Sequence, residues 1–324
     1  MPPLFSVSGL RISIWRGADE RIVVDGVDFE VAAGETLALI GESASGKSLI
    51  ALGSLDLLSP GARVVGATTR FEGVTLQDLH GDDWRRLVGM GIGVLFQDAI
   101  GAWDPLDLMG VQSGEVLEEH TELTDGEIQD RVLDALGEVG LSKKRHFMAF
   151  SHEVSRGQAQ RTMLAASLLA APRLLIADEP LSGLDVSVAR AVLDLIDDLR
   201  TKRGMGMLLV THDLAIVAAV ADRVAVVYAG MIVEQAPVEA LYREPHHPYT
   251  SGLLGSLPAL VKERLRPIRG EAPDIFDVVP GCPFAPRCDF VVDRCWAERP
   301  VLRAVGESRV ACHRAEEVEL PGVG

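Results

Sequence analysis

Glu35-Thr-Leu-Ala-Leu-Ile40-Gly41-Glu42-Ser43-Ala44-Ser45-Gly46-Lys47-Ser48 decides the fold of this chain. The first half is a short apolar run of the kind buried strands have, and it feeds a glycine-containing loop that ends in Lys-Ser. Strand, G-x-x-x-x-G-K-S loop and helix start together make a phosphate cradle. Backbone N–H groups of the loop and the helix N-terminus face a triphosphate, Lys47 reaches its β and γ phosphates, and the Ser48 hydroxyl can ligate Mg²⁺. Gly41, Ser43, Ala44, Ser45, Gly46, Lys47 and Ser48 are therefore candidate ATP-binding residues. Ala44 stands where glycine is common in such loops, and an L-residue there is expected to hold φ below zero.

The rest of the chain narrows the class. At 324 residues, 48% hydrophobic and 24% charged, it is long enough for one large α/β domain and a smaller one, and it is globular, not disordered. Its longest apolar stretches, Met163 to Ala171 and Met205 to Val210, fall far short of the ~20 residues a bilayer span needs. The N-terminus has no basic region ahead of a hydrophobic core, so no secretory signal is visible and a cytosolic chain is expected. A formal net charge of −16 argues against nucleic acid as a partner, which calls for a basic face.

Residues Phe5 to Ile14 and Val23 to Val31 alternate apolar and polar side chains and read as strands of a small antiparallel layer ahead of the loop. A helix is expected from Gly46 to the turn at Ser59-Pro60-Gly61. Apolar runs at Gly91 to Phe96, Arg173 to Ala177, Gly206 to Val210 and Arg223 to Tyr228 read as buried strands. Helical periodicity is clearest over Asp125 to Val139 and Val186 to Arg200. Strands alternating with helices imply a mainly parallel sheet covered on both faces. Near Pro245-His-His-Pro248 the pattern changes to a Pro-punctuated tail, which places a domain boundary between 1–244 and 245–324.

A second constellation follows the loop. Arg173-Leu-Leu-Ile-Ala-Asp178-Glu179 is an apolar strand ending in two carboxylates. In nucleoside triphosphatases of this kind the first acid holds Mg²⁺ and the next orients and polarises the attacking water. Phe96-Gln97-Asp98, Val154-Ser155-Arg156-Gly157-Gln158, Ser182-Gly183-Leu184-Asp185 and Thr211-His212-Asp213 stand at intervals along the chain. With the two constellations, these segments make residues 4 to 240 resemble the ATP-binding cassette family.

The resemblance implies a P-loop α/β cassette with an N-terminal antiparallel layer and an α-helical subdomain at about 98–165. By it, Gln97 touches Mg²⁺ and signals to a membrane partner, and His212 contacts the γ-phosphate. Ser155, Gly157 and Gln158 belong to the signature segment, and Asp185 closes the loop that crosses the dimer interface. Trp15 or Ile14 lies where the family stacks an aromatic on adenine, and Trp15 has the larger π face. Lys47, Gln97, Glu179 and His212 are thus the candidate catalytic set, with Ser48, Gln97 and Asp178 around Mg²⁺. The family's signature reads Ser-Gly-Gly, whereas this chain has Ser155-Arg156-Gly157. Arginine adds bulk and charge where backbone approaches the partner's triphosphate. Because cassettes pair head to tail, the resemblance implies a heterodimer in which the site on Lys47 and Glu179 is active and the site facing Arg156 is weak. Alternatively, the Arg156 guanidinium turns to the γ-phosphate and preserves activity.

All four cysteines lie in the last 43 residues, as Cys282-x5-Cys288-x6-Cys295-x16-Cys312, so they share a chemistry. Cytosolic thiols stay reduced, which favours a metal or iron–sulfur centre over a disulfide. Structural zinc uses tighter pairs, and four thiolates at wider intervals suit a cubane. Zinc and buried thiols remain alternatives. Residues 245–324 also resemble the C-terminal extension of ATPase subunits of oligopeptide and dipeptide permeases. The resemblance is carried by His247-Pro248-Tyr249-Thr250, Leu253-Leu254, Ser256-Leu-Pro258, the cysteine spacing and Cys312-His313. It implies a 4Fe–4S cluster on the four cysteines; His313 either supports the ligands from behind or is solvated. It also implies an importer subunit at the cytoplasmic membrane face. Its partners would be two transmembrane permease subunits, a second ATPase cassette and an extracellular substrate-binding protein. A regulatory, redox-sensing cassette and a soluble cassette ATPase are the rival readings.

Overall fold

The computed structural model describes residues 2–256, 268–274, 276 and 280–323. Leu257 and Pro258 of the Ser256-Leu-Pro258 segment lie outside the described residues. In chain order the strands are β1 (Phe5–Arg16), β2 (Asp19–Val31), β3 (Thr36–Ile40), β4 (Ala62–Phe71), β5 (Val74–Thr75) and β6 (Ile92–Leu95). They continue as β7 (Leu174–Asp178), β8 (Gly206–Val210), β9 (Arg223–Tyr228), β10 (Met231–Pro237), β11 (Arg303–Val305) and β12 (Ser308–Val310). The chain forms two compact units, one built mainly on Thr75–Leu209, the other on Phe5–Val31, Glu35–Val74 and the residues from Val210 onward.

In the first unit β6 and β7 run parallel, with Val94 opposite Ile176 and Leu95 opposite Ala177. Every residue of β7 and β8 is buried, as expected of parallel-type strands covered on both faces. Helices Met109–His120, Asp125–Glu138, Lys143–Phe147 and Arg156–Leu168 occupy the region expected to be a helical subdomain. Thr124 starts the second of these by a capping box: its hydroxyl accepts from the Glu127 N–H, and the Glu127 carboxylate accepts from the Thr124 N–H at 2.8 Å.

The second unit carries two sheets. β1 pairs antiparallel with both β2 and β4, Phe5 standing opposite Val31 on one side and Phe71 on the other. The antiparallel layer is therefore not confined to the residues ahead of the loop. The chain returns through β4, whose alternation is blurred in the sequence by Gly66. In the other sheet β3 and β9 are parallel, while β9–β10, β10–β12 and β12–β11 are antiparallel. The parallel expectation holds at β3 and gives way to an antiparallel edge formed by β10 and, from the tail, β12 and β11. The loop helix is also shorter than expected, running only from Lys47 to Gly53. Its last turn abuts β1, where a side chain at Gly53 would stand 2.5 Å from Ile12 Cδ1, and Asp56 then turns left-handed at φ 58°.

Candidate functional site

β3 is buried at all five positions, so it delivers the Gly41–Ser48 loop to the end of a rigid strand. The loop's curvature is fixed by three positive φ angles: Gly41 at 152°, Ala44 at 61° and Gly46 at 101°. Ala44 thus adopts the left-handed conformation that its side chain was expected to refuse. The turn geometry overrides the residue's preference, at about 1 kcal/mol of strain. Gly41 has no substitute, because a Cβ there would sit 2.2 Å from the Val227 carbonyl oxygen and 2.9 Å from Ser45 Oγ.

Lys47 is buried and its ammonium donates to the carbonyls of Gly41 at 3.0 Å and Glu42 at 2.9 Å, so it folds back over the loop. Ser45 Oγ is buried with no hydrogen-bond partner among the described residues. An orphaned hydroxyl inside a loop of convergent N–H groups is what a bound anion would satisfy, so the cradle fits a phosphate. Trp15, in the same unit, has 40% of its surface exposed and stacks one face 4.9 Å from the Arg63 guanidinium carbon. Ile14 stands beside it in β1, opposite Arg21 and Ala62. His212 is exposed just after β8, and Asp213 caps the helix Leu214–Val220 by accepting from the Ala215 N–H at 2.8 Å.

In the first unit the parallel register places Gln97 and the Asp178-Glu179 pair at the same ends of neighbouring strands, Asp178 closing β7. Asp178 is buried, Glu179 is partly exposed and left-handed at φ 45°, and Gln97 is exposed. Strained backbone of that kind is characteristic of functional positions. Ser155 and Gln158 close a capping box that starts the helix Arg156–Leu168, the Ser155 N–H donating to Gln158 Oε1 at 3.0 Å. Gly157 is buried against the helix that follows Asp185, since a Cβ there would lie 2.8 Å from Val188 Cγ1. Arg156 Nη1 occupies the space over Gly183, 2.4 Å from where a Cβ of that residue would be.

The four cysteines converge. Cys282, Cys288, Cys295 and Cys312 line one small cavity together with Phe284, Phe290, His247 and His313, and none is in a disulfide. Burial pushes the Cys282 thiol up to about 12 and Cys288 up to about 11. Cys282, Cys288 and Cys312 each accept a backbone N–H from two residues on: Phe284, Phe290 and Arg314. Such N–H···S bonds favour sulfur that carries negative charge, so the donor set fits a thiolate-bound cofactor. As placed, no three His, Cys, Asp or Glu side chains among the described residues are set to hold a metal ion directly. His313 bonds the Glu298 carbonyl oxygen at 2.9 Å.

Two partners of the loop were not legible in the sequence as such. The Glu42 carboxylate meets Arg287, and the Glu42 N–H donates to Tyr249 Oη at 2.8 Å. Arg287 lies 245 positions away in sequence, so only the fold joins them.

His247 gives a pH signature. It caps the helix Pro248–Gly255 through Nδ1, which accepts from the Tyr249 N–H, and complete burial pushes its pKa down to about 3. Below pH 6.5 the unfolded chain binds a proton that the folded imidazole refuses, so stability is lost as pH falls from 6.5 toward 3. Between pH 6.5 and 5 this is worth about 2 kcal/mol. His247→Asn keeps a capping acceptor, so urea unfolding of the two proteins at both pH values should show this extra loss in the wild type only.

Residues 24–182 match the ABC transporter family model, and residues 233–295 match the Oligopeptide/dipeptide transporter, C-terminal region. The oligopeptide transport ATP-binding protein AppD of Bacillus subtilis is 39% identical over 98% of this chain and 98% of its own length. The chain belongs to the ABC transporter ATP-binding proteins. It is 41% identical to the oligopeptide transport ATP-binding protein OppD of Mycobacterium tuberculosis over 98% of this chain, and spans 53% of that relative's length. The dipeptide transport ATP-binding protein DppD of Haemophilus influenzae is 38% identical over 90% of this chain and 89% of its own. In fold it is similar to the ATP-binding cassette MJ0796 bound to ADP and Pi, with TM-score 0.64 and 21% identity over 72% of this chain and 98% of that one. It is likewise similar to cbiO1 of Clostridium perfringens, with TM-score 0.61 and 22% identity over 75% and 91%. As an ABC ATP-binding protein the chain is an ATPase coupled to transport. No helix among the described residues is long and apolar enough to cross a membrane.

Proposed function

We propose that this chain is the ATP-hydrolysing subunit of a multi-subunit importer for dipeptides or oligopeptides, held peripherally at the cytoplasmic membrane face. The observation that carries the reading is the joint presence of the phosphate loop and the peptide-transporter C-terminal region in one chain, with relatives named for peptide transport over nearly its whole length. Residues 1–244 are the cassette and 245–324 the extension. Two transmembrane permeases supply the path, an extracellular binding protein supplies the cargo, and the segment 98–165 docks on the permeases.

Hydrolysis uses in-line attack of water on the γ-phosphate. Lys47 and His212 offset the developing negative charge, Glu179 orients and polarises the water, and Ser48, Gln97 and Asp178 hold the Mg²⁺ that ATP brings. Gly41 to Ser48 hold the phosphates, Trp15 meets the adenine, and Ser155, Gly157, Gln158 and Asp185 face the partner cassette's nucleotide. That partner is a different cassette with an intact signature. The Arg156 guanidinium lying over Gly183 supports this, since it fills the close-approach surface on its own subunit. The four cysteines hold a 4Fe–4S cluster, which would bring electron-transfer capacity or a covalent staple to the extension.

Affinity purification of the tagged chain from native membranes, anaerobically and in mild detergent, tests the whole reading. Two permeases, a second cassette, a peptide-binding protein, a broad absorption band near ~400 nm and acid-labile sulfide are expected. Ribosomal or DNA-processing factors without permeases would overturn the importer, and colourless, sulfide-free material would remove the cluster.

A further inference from the structure

Glu42 is the second residue of the phosphate loop, and three of its groups are engaged in ways the hydrolytic mechanism does not use. Its N–H donates to Tyr249 Oη at 2.8 Å, and its carbonyl oxygen receives the Lys47 ammonium at 2.9 Å and the Ser45 N–H at 3.2 Å. Its carboxylate takes a two-pronged bond from Arg287, Nη1 to Oε2 at 2.6 Å and Nη2 to Oε1 at 3.0 Å. The Arg287 side chain is only 6% exposed and that of Glu42 28%, so water screens the pair little. Three of the atoms that fix this loop residue, from two side chains, thus come from the C-terminal extension.

Arg287 is itself held rigidly. Nε donates to the Arg269 carbonyl at 2.9 Å, and Nη2 makes a longer contact with the Gly270 carbonyl at 3.4 Å. Nη1 also reaches Tyr228 Oη at 3.4 Å. Tyr249 is equally constrained. It is fully buried, with its ring centroid 4.6 Å from that of Tyr228 and 5.5 Å from that of Phe284. Phe284 and Arg287 lie between Cys282 and Cys288 in the chain, and Phe284 lines the cysteine cavity. A fork-shaped guanidinium on a carboxylate plus a hydroxyl on a backbone N–H fixes position and orientation at once.

We propose that Arg287 and Tyr249 are positioning residues for nucleotide binding, through which the cysteine-bearing extension sets the shape of the phosphate loop by gripping Glu42. The inference rests on the reading that Gly41–Ser48 holds the phosphates of ATP. Freed from the grip, Glu42 turns, its carbonyl leaves the Lys47 ammonium, and the N–H groups of the loop lose their convergence. Nucleotide affinity falls before folding does.

The test is an equilibrium titration of the full chain with a fluorescent ATP analogue and Mg²⁺, alongside thermal melting of each variant. Tyr249→Phe keeps the ring stack and removes one hydroxyl; Arg287→Lys keeps the charge and removes the fork. Each is expected to raise Kd about five- to tenfold in a folded chain. In the assembled transporter KM for ATP should rise with kcat nearly unchanged. In a Glu42→Gln background Arg287→Lys should add little, because the pair is already broken. Lys47→Ala tests the underlying reading separately. If it binds the analogue like wild type, the loop is not the nucleotide site and both readings fall. If Lys47→Ala loses binding while Tyr249→Phe and Arg287→Lys stay folded with Kd within twofold of wild type, the grip is only a staple and the inference is overturned.

Discussion

Glu179→Gln in the assembled transporter is expected to reduce ATP turnover to below about 5% of wild type, measured as phosphate release with cargo-loaded binding protein present. The amide keeps the size of the side chain and most of its hydrogen bonding, yet it can neither polarise the attacking water nor take its proton. General-base losses of this kind run at about 10²–10⁴-fold in the site concerned. The left-handed backbone at Glu179, φ 45°, holds the side chain at the end of a fully buried strand, so the substitution should leave the fold intact. The size of the effect also tests asymmetry. If the site facing Arg156 were fully competent, removing one base would leave about half the turnover, and that result would sink the unequal-site reading. The same change in the partner cassette should leave most of the turnover in place.

The second large effect is expected at Gly41. Gly41→Ala should abolish binding of a fluorescent ATP analogue and lower the melting temperature sharply. The added methyl would stand 2.2 Å from the Val227 carbonyl oxygen, which is backbone of β9 and cannot swing aside. The residue also sits at φ 152°, a conformation that L side chains rarely adopt. Clash and backbone strain together put the penalty above about 4 kcal/mol, in the range reserved for core disruption. Retention of nucleotide binding within threefold of wild type would show that the loop can shift as a body, contrary to this account. Ala44 offers a control nearby: Ala44→Gly relieves the left-handed strain and should keep binding intact.

Much of the cassette was legible because its signals are local. The apolar run at β3, the spacing of Gly41, Gly46 and Lys47, and the acids closing β7 each specify strand, turn and charge within a few residues. The helices Asp125–Glu138 and Val186–Arg203 follow their periodicity closely, the second running three residues past the expected end, to a left-handed Gly204 cap. Local signals failed where pairing is between distant segments. β4 and β12 have no strong alternation of their own, and they become strands because β1 and β10 offer them unpaired edges. Propensity also lost to tertiary context at Ala44 and at the early end of the loop helix.

The sequence by itself determined that this chain holds a phosphate loop, an acidic strand end and a cysteine-rich tail, because each is written in consecutive or regularly spaced residues. Only the tertiary structure decided that the four cysteines share one cavity and that Tyr249 and Arg287 meet Glu42. Those contacts join residues more than 200 positions apart. They depend on a tail that returns to β9 and β10, and their partners become neighbours only after the chain has closed that long loop.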